Sequence, residues 1–226
     1  MDSLDEATKP GLRDRKKARR REEIIAAAKD LFTTHGIDAT TMAEIAAASG
    51  ISAPTVFNYF GSKDGILIAM ISEGTRAARD RDRGAHWRAG ADLTTLIVEL
   101  FVRVSTRTLN VAGKRVWRYA EAAAIRHPEA VLSLEYRNVS MALHDVVAEF
   151  LAPIDLQTRQ GAPCDPDYMA GLLIDQWIPC FIALITSETQ TLIEHEAILR
   201  ARFAPLIGLI FTEDCAAKPR LKGAKP

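Results

Sequence analysis

Residues 41–63, TMAEIAAASGISAPTVFNYFGSK, decide the fold of this chain. Thr41 with Glu44 three residues later fits a capping box, which satisfies free N–H groups at a helix start. Met42, Ile45, Ala46 and Ser49 then recur at helical spacing. Gly50 stands where that helix must stop, because glycine enters a left-handed C-cap without steric cost. Ile51 supplies an apolar plug beside the turn. Ser52 is placed to cap a second helix, and Pro54 falls in its first turn, where a missing N–H costs nothing. Val56 and Phe60, four apart, return to the core. Small Ala46 and Gly50, with Ile51 and Val56, let two helices cross closely at a steep angle. That is the helix-turn-helix arrangement, whose second helix enters the major groove of DNA.

A helix–glycine–helix pattern alone is common in helical proteins. Three neighbouring features sharpen it. The segment sits near the N-terminus, a basic stretch precedes it, and it ends in FNYFGSKD, an aromatic cluster followed by a lysine. The combination resembles the tetracycline-repressor (TetR) family of bacterial transcription regulators. The resemblance spans about Glu22 to Met70. It is carried by Phe32, Gly36, Thr41, Ile45, Ala46, Gly50, Ile51, Ser52, Thr55, Val56, Tyr59, Phe60, Lys63 and Leu67. Where members of that family usually carry tyrosine, this chain has Phe57, so the hydroxyl that would reach a phosphate is absent.

The chain has 226 residues, 48% hydrophobic residues and a formal net charge of zero. Length and composition suit one large domain, or a small domain joined to a larger one. Zero net charge excludes a uniformly basic polyanion-binding protein, but the charge is uneven. Residues 13–21 read RDRKKARRR, with seven cations against one aspartate, and Lys218 to Lys225 hold four more cations and no acid. Cys164, Cys180 and Cys215 have neither a disulfide framework nor metal-ligand spacing, which suits a reducing compartment. No signal peptide is expected, because the N-terminus lacks an apolar segment. No apolar run approaches the ~18 residues of a membrane span; the richest, Trp177 to Ile185, contains Pro179. No membrane partner and a bacterial cytoplasmic location are therefore expected.

The periodicity predicts an all-α protein of about nine helices. Residues 1–18 read as a disordered basic arm, since residues 1–12 hold proline, glycine and mixed charge without periodicity. Residues 19–65 read as a three-helix DNA-binding domain, with a first helix from about Arg19 to His35 whose inner stripe is Ile24, Ala28, Leu31 and Phe32. Residues 66–213 read as a larger ligand-binding and dimerisation domain, and 214–226 as a basic tail. A fourth helix follows Ser62 and fades into the alternating charges of RAARDRDRGAHWRAG, read as solvated connector. Leu93, Leu96, Ile97, Leu100, Phe101, Val104 and Thr108 then mark one helical face. Further helices are predicted at about 114–126, 129–151, 166–187 and 190–211. The helix at 129–151 is apolar on several faces and so is expected to be buried on several sides.

A basic run alone is usually a solvated face, but beside a helix-turn-helix the run Arg13 to Arg21, with Arg19, Arg20 and Arg21 foremost, reads as phosphate contacts that release counterions. On the second motif helix Asn58 can pair with adenine, while Ala53 or the Thr55 methyl can touch a thymine methyl. The resemblance implies that Ala53, Pro54, Thr55, Phe57 and Asn58 lie against base edges or sugars, and that Thr41, Tyr59 and Lys63 match positions that grip phosphates. No arginine sits on this helix to read guanine.

The two last predicted helices have broad apolar faces and can pair with their symmetry copies, which matches the dimer mode of the family. Pro179 and Pro205 are expected to kink them. The middle helices could enclose a ligand cavity lined by Phe101, Trp117, Tyr136, Met141 and Trp177, with Glu121, His127, Asn138, His144 and Gln176 as polar anchors. Aromatics at helical spacing are more often plain core. No nucleophile turn, phosphate-binding glycine loop or H-E-x-x-H motif is present, so neither enzymatic activity, nor a metal, nor a cofactor is implied. The sequence thus points to a ligand-responsive, homodimeric repressor released from a pseudo-palindromic operator by a small apolar or amphipathic effector. Two rival readings are a protein-interaction or activator partner on the same fold without DNA binding, and a helical enzyme or carrier.

Overall fold

The computed structural model describes residues 11–82, 88, 90–162 and 164–223. Helix α1 spans Leu12–Thr34, with Ile24, Ala28 and Phe32 buried along one stripe. It begins seven residues before the expected start at Arg19. Residues 12–18, assigned to a disordered arm from their charge, are helical: arginine, lysine and alanine are good helix formers, and no glycine or proline interrupts them. Asp14 sits in the first turn, where a negative charge meets the positive end of the helix dipole. Residues 1–10 of that arm lie outside the described residues.

The motif forms as two short helices, α2 (Met42–Ser49) and α3 (Ala53–Phe60). Thr41 and Glu44 make the full capping box: the Thr41 N–H donates to Glu44 Oε2 at 2.7 Å and the Glu44 N–H to Thr41 Oγ1 at 3.2 Å. Gly50 closes α2 at φ 67°, in the left-handed region. The Ser52 side chain does not cap α3. Its hydroxyl lies 2.7 Å from that of Thr55 instead. Helix α4 spans Lys63–Asp82, and Ser62 Oγ accepts the Gly65 N–H at 3.1 Å at its start.

The chain divides between Ala69 and Met70 into two units. In the first, Ile45, Ala46 and Val56 join the α1 stripe with Ile66 and Leu67 in one core. Thr40, which no periodicity singles out, is fully buried, and its hydroxyl donates to the Gly36 carbonyl at 2.7 Å.

The second unit contains α5 (Leu93–Val111), α6 (Lys114–Arg126), α7 (Val131–Leu151), α8 (Pro166–Thr186), α9 (Leu192–Ile210) and α10 (Glu213–Ala217). Local chemistry fixes most of their ends. Asp92 caps α5, Asp165 followed by Pro166 starts α8, and Thr191 with Glu194 makes a second capping box for α9. Helix α5 packs on α9, while α8 contacts α6, α7 and α9. Phe101 is fully buried between two rings, with centroids 5.8 Å from Trp177 and 5.2 Å from Phe203.

Ten helices are present among the described residues, with two isolated β-bridges and no strand. Residues 214–223 are not a loose basic tail. Cys215 is buried, and the bridge between Ile154 and Leu221 ties the segment to the loop after α7. The Asp155 N–H donates to the Arg220 carbonyl and the Lys222 N–H to the Pro153 carbonyl, both at 2.8 Å. Apolar Ile154 and Leu156 anchor that loop. Helix α7 is not buried on all its apolar sides: Val131, Leu134 and Met141 are exposed. Helices α8 and α9 continue through Pro179 and Pro205. By length and composition α8 could cross a membrane, although no single apolar run is that long. Half of the stretch is buried within its unit, as in a core helix.

Two glycines of the first unit separate backbone conformation from space. A Cβ added at Gly50 would meet nothing within 4 Å, whereas one at Gly65 would lie 1.9 Å from the Phe60 carbonyl oxygen. Gly50→Ala should therefore cost only the left-handed penalty, roughly 1–2 kcal/mol. Gly65→Ala should cost clearly more, because a backbone carbonyl cannot turn aside as a side chain can. Urea unfolding of the two variants checks this, and equal losses would refute it.

Candidate nucleic-acid interface and ligand cavity

Val56 is fully buried, so the opposite side of α3 faces outward. There Pro54, Phe57 and Asn58 are exposed, while Ala53, Thr55 and Tyr59 are partly covered. Phe57 is 50% exposed, a large unpaired aromatic next to an amide. Beside this helix a groove is lined by Leu12, Arg13, Asp14, Lys16, Lys17, Arg20 and Tyr59. The cations at 13, 16, 17 and 20 follow i, i+3, i+4, i+7 spacing, so they form one stripe on α1. Sequence reading took Arg13 to Arg21 together as a basic arm and so did not separate Arg13, Lys16, Lys17 and Arg20 as one helical stripe. Read as a helix, the same letters show the stripe.

The three arginines singled out from sequence do not act alike. Arg20 lines the groove. Arg19 pairs with Glu23 at 3.3 Å across exposed surface. Arg21 lies over the Phe60 ring, 4.9 Å from its centroid. Phe60 is itself only partly buried. Lys63 is engaged as well: Nζ donates to the Ile37 carbonyl at 2.6 Å and the Asp38 carbonyl at 3.3 Å. It thereby ties the turn after α1 to the start of α4. The Thr41 hydroxyl donates to Glu44 Oε2 at 2.9 Å, and these bonds hold the Glu44 carboxyl below its usual pKa.

In the second unit a cavity of about 100 Å³ opens among α4, α5, α6, α7 and α8. Trp117, Tyr136, Trp177 and Phe181 supply aromatic wall, and Val104, Val111, Val139, Leu143 and Val146 supply aliphatic wall. Thr75, Arg107, Thr108 and Ser140 complete it. Of the five residues expected from sequence, three line this void. Phe101 does not, because both its ring faces are packed in the core. Met141 does not either: it is 69% exposed on the outer side of α7. Among the expected anchors, Glu121 accepts a hydrogen bond from Tyr136. Burial first, and that bond second, push the Tyr136 phenol far above its usual pKa. His127 and Asn138 are exposed, His144 lies 3.6 Å from Asp167, and Gln176 accepts from Arg202 at 3.1 Å.

Behind the wall, Trp177 Nε1 donates to Ser105 Oγ at 3.0 Å, and Ser105 Oγ lies 2.9 Å from His195 Nε2. Ser105 and His195 are fully buried. The indole can only donate, so the serine oxygen accepts from Trp177 while its second bond joins it to His195. His195 Nδ1 is buried without a hydrogen-bond partner. Burial, and to a smaller degree the nearby Lys114, lower its pKa to about 4.

On the outer sides of α8 and α9, Tyr168, Ile178, Ile193, Ile198 and Leu209 are exposed. Pro179 and Pro205 lie on the same exposed sides. All three cysteines are free thiols whose pKa is raised, chiefly by burial. No cluster of metal-ligating side chains occurs among the described residues.

Residues 24–70 match the family described as bacterial regulatory proteins, tetR family. The HTH-type transcriptional repressor BdcR of Escherichia coli (strain K12) is 41% identical over 156 residues, 67% of this chain and 74% of that protein. The HTH-type transcriptional regulator BetI of Rhizobium meliloti (strain 1021) is 36% identical over 163 residues, 70% and 77% of the two chains. The crystal structure of a putative TetR-family regulator from Mesorhizobium loti superposes with a TM-score of 0.65 at 20% identity, covering 87% of this chain and 99% of the other, a likeness of fold.

The buried His195 makes stability depend on pH. Its folded pKa, about 4, lies below the ordinary 6.5. The unfolded chain therefore binds a proton first as pH falls, and the contribution present above pH 6.5 is lost on the way to pH 4. Between pH 7.5 and 5.0 the loss should be on the order of 1–2 kcal/mol. Urea unfolding of wild type and His195→Gln at both pH values measures it. The same pH dependence in both proteins would contradict it.

Proposed function

This chain belongs to the TetR family of bacterial regulatory proteins, helix-turn-helix transcription regulators, and we propose that it is a dimeric repressor whose hold on DNA weakens when a small apolar or amphipathic molecule fills the second unit's cavity. The observation that carries the DNA reading is the pairing, within one unit, of an outward α3 face with a cationic stripe on α1. Asn58 and Phe57 offer base-edge and sugar contacts, with Ala53, Pro54 and Thr55 at the same end of the helix. Arg13, Lys16, Lys17 and Arg20, with the Tyr59 hydroxyl, offer phosphate contacts. Lys63 spends two of its three donors on carbonyls, so it would hold a phosphate with the third. Thr41 serves by fixing the first turn of α2. Phosphate contacts set register and base contacts carry sequence.

The exposed apolar sides of α8 and α9 support a dimer built as a four-helix interface with a second copy. A two-fold protein reads a pseudo-palindrome, with half-sites about one helical turn, ~34–36 Å, apart or a small multiple of it. Repression is supported by BdcR, a relative that is itself named a repressor. Working on bacterial DNA, the protein would reside in the cytoplasm. Helix α4 supplies the covalent link: Lys63 begins it in the first unit, and Thr75, farther along, lines the cavity of the second.

Two substitutions should act differently on binding to DNA. Asn58→Ala should relax preference at one operator position, at about 1–3 kcal/mol on the best site. Arg20→Ala should weaken all sequences alike and reduce the salt slope by roughly one. Electrophoretic titration across sequences and salt concentrations checks both. Identical sequence profiles and salt slopes for the two variants would overturn the assignment.

An effector can shift binding only by its differential affinity for the two conformations. Saturation should weaken operator binding by roughly 5–150-fold, and operator DNA should weaken effector binding by the same factor. Titrating ligand against tryptophan emission, with and without DNA, reads both directions. A ligand that binds beside Trp117 or Trp177 yet leaves DNA affinity unchanged would favour a carrier or enzyme.

A further inference from the structure

Most polar side chains of the cavity wall, the Thr108 hydroxyl apart, are committed to protein partners. Trp117 Nε1 donates to the Thr108 carbonyl at 2.7 Å and Trp177 Nε1 to Ser105 at 3.0 Å. The hydroxyl protons are committed too. Thr75 donates to the Ile71 carbonyl at 2.6 Å, Ser140 to the Tyr136 carbonyl at 3.1 Å, and Tyr136 to Glu121. These five residues therefore show a ligand ring faces, methyl groups and oxygen lone pairs, none of which attracts a negative charge; the Thr108 hydroxyl adds one neutral donor. Arg107 differs. It is the single charged side chain among the described lining residues. Its guanidinium has five N–H donors, so it can hold a ligand alongside a neighbour. Among the described residues no acidic side chain lines the void.

Size narrows the class. A void of roughly 150 Å³ takes up benzene, and this one measures about 100 Å³, which leaves no room for a second ring. We propose that the cavity takes an aromatic monocarboxylate, with its single ring against Trp117, Trp177 and Phe181 and its carboxylate on Arg107. A planar carboxylate meets a guanidinium through two parallel N–H···O bonds, which an amide or an ammonium group cannot reproduce. The proposal rests on the reading of this cavity as the effector site.

Three molecules with one body and different heads test it on the full chain: 4-methylbenzoate, 4-methylbenzamide and 4-methylbenzylammonium, titrated calorimetrically. The carboxylate should bind at least about tenfold more tightly than the amide, with the ammonium weakest. In Arg107→Gln the preference for carboxylate over amide should collapse to under about threefold, while Arg107→Lys, which keeps the charge, should retain part of it. Equal binding of carboxylate and amide, preference for the ammonium, no binding of the carboxylate at about 10 mM, or a preference that survives in Arg107→Gln would each overturn the proposal. If the carboxylate binds through Arg107 but does not release DNA, the ligand class stands and the effector reading falls. If the amide or ammonium binds as well and releases DNA, the effector reading stands and the ligand class falls.

Discussion

The left-handed turn at Gly50 is the constraint on which the first unit depends. With φ at 67° at Gly50 the chain leaves α2 and enters α3 across three residues. That geometry puts Val56 into the core beside Ile45 and Ala46. Once Val56 points inward, helical period sends Asn58 and Phe57 outward. A side chain at position 50 would meet no neighbour. The requirement for glycine there is one of backbone conformation, and the outward face of α3 follows from it. Lys63 reinforces the arrangement by bonding the carbonyls of Ile37 and Asp38, which fixes the turn after α1.

The second unit is held by a different interaction. Phe101 is sandwiched between Trp177 and Phe203, and Trp177 is stacked in turn on Phe181, 4.8 Å between centroids. One edge of this aromatic series is solid core and the other borders the cavity. Trp177 belongs to both, with its indole N–H anchored through Ser105 to His195 on α9. A molecule that displaces Trp177 would break the buried hydrogen-bond chain from Trp177 through Ser105 to His195. Such a chain is costly to leave half-satisfied. Its far end is on one of the two helices whose outer sides are apolar and exposed, so cavity occupancy and the α8–α9 surface share a physical link within one unit.

Much of this was legible in the sequence because its signals are local. The capping box at Thr41 and Glu44, the stop at Gly50, and the buried stripe of Ile24, Ala28 and Phe32 each depend on residues a few positions apart. What failed was non-local or ambiguous. The run from Arg13 to Arg21 carries charge that argues for a solvated arm and side chains that favour helix; the helix prevailed, and a stripe of cations emerged. The last segment looked like a basic tail because nothing in its letters reveals that Leu221 bridges to Ile154. In the cavity, period could say that Phe101 and Met141 lie on helices of the right unit. It could not say that one is packed on both faces and the other points outward. The resemblance marked Lys63 as a phosphate contact, but its bonds to the Ile37 and Asp38 carbonyls leave no trace in sequence.

The central claim is that this chain reads DNA as a symmetric pair of α3 helices. Selection of bound sequences from random duplex DNA by the full chain tests it most directly. The account predicts enrichment of one inverted repeat, with half-sites spaced about one helical turn or a small multiple of it, and loss of the preference at one position in each half when Asn58 is changed to alanine. A pool that stays random after repeated rounds, or that converges on a single unrepeated motif, would contradict it.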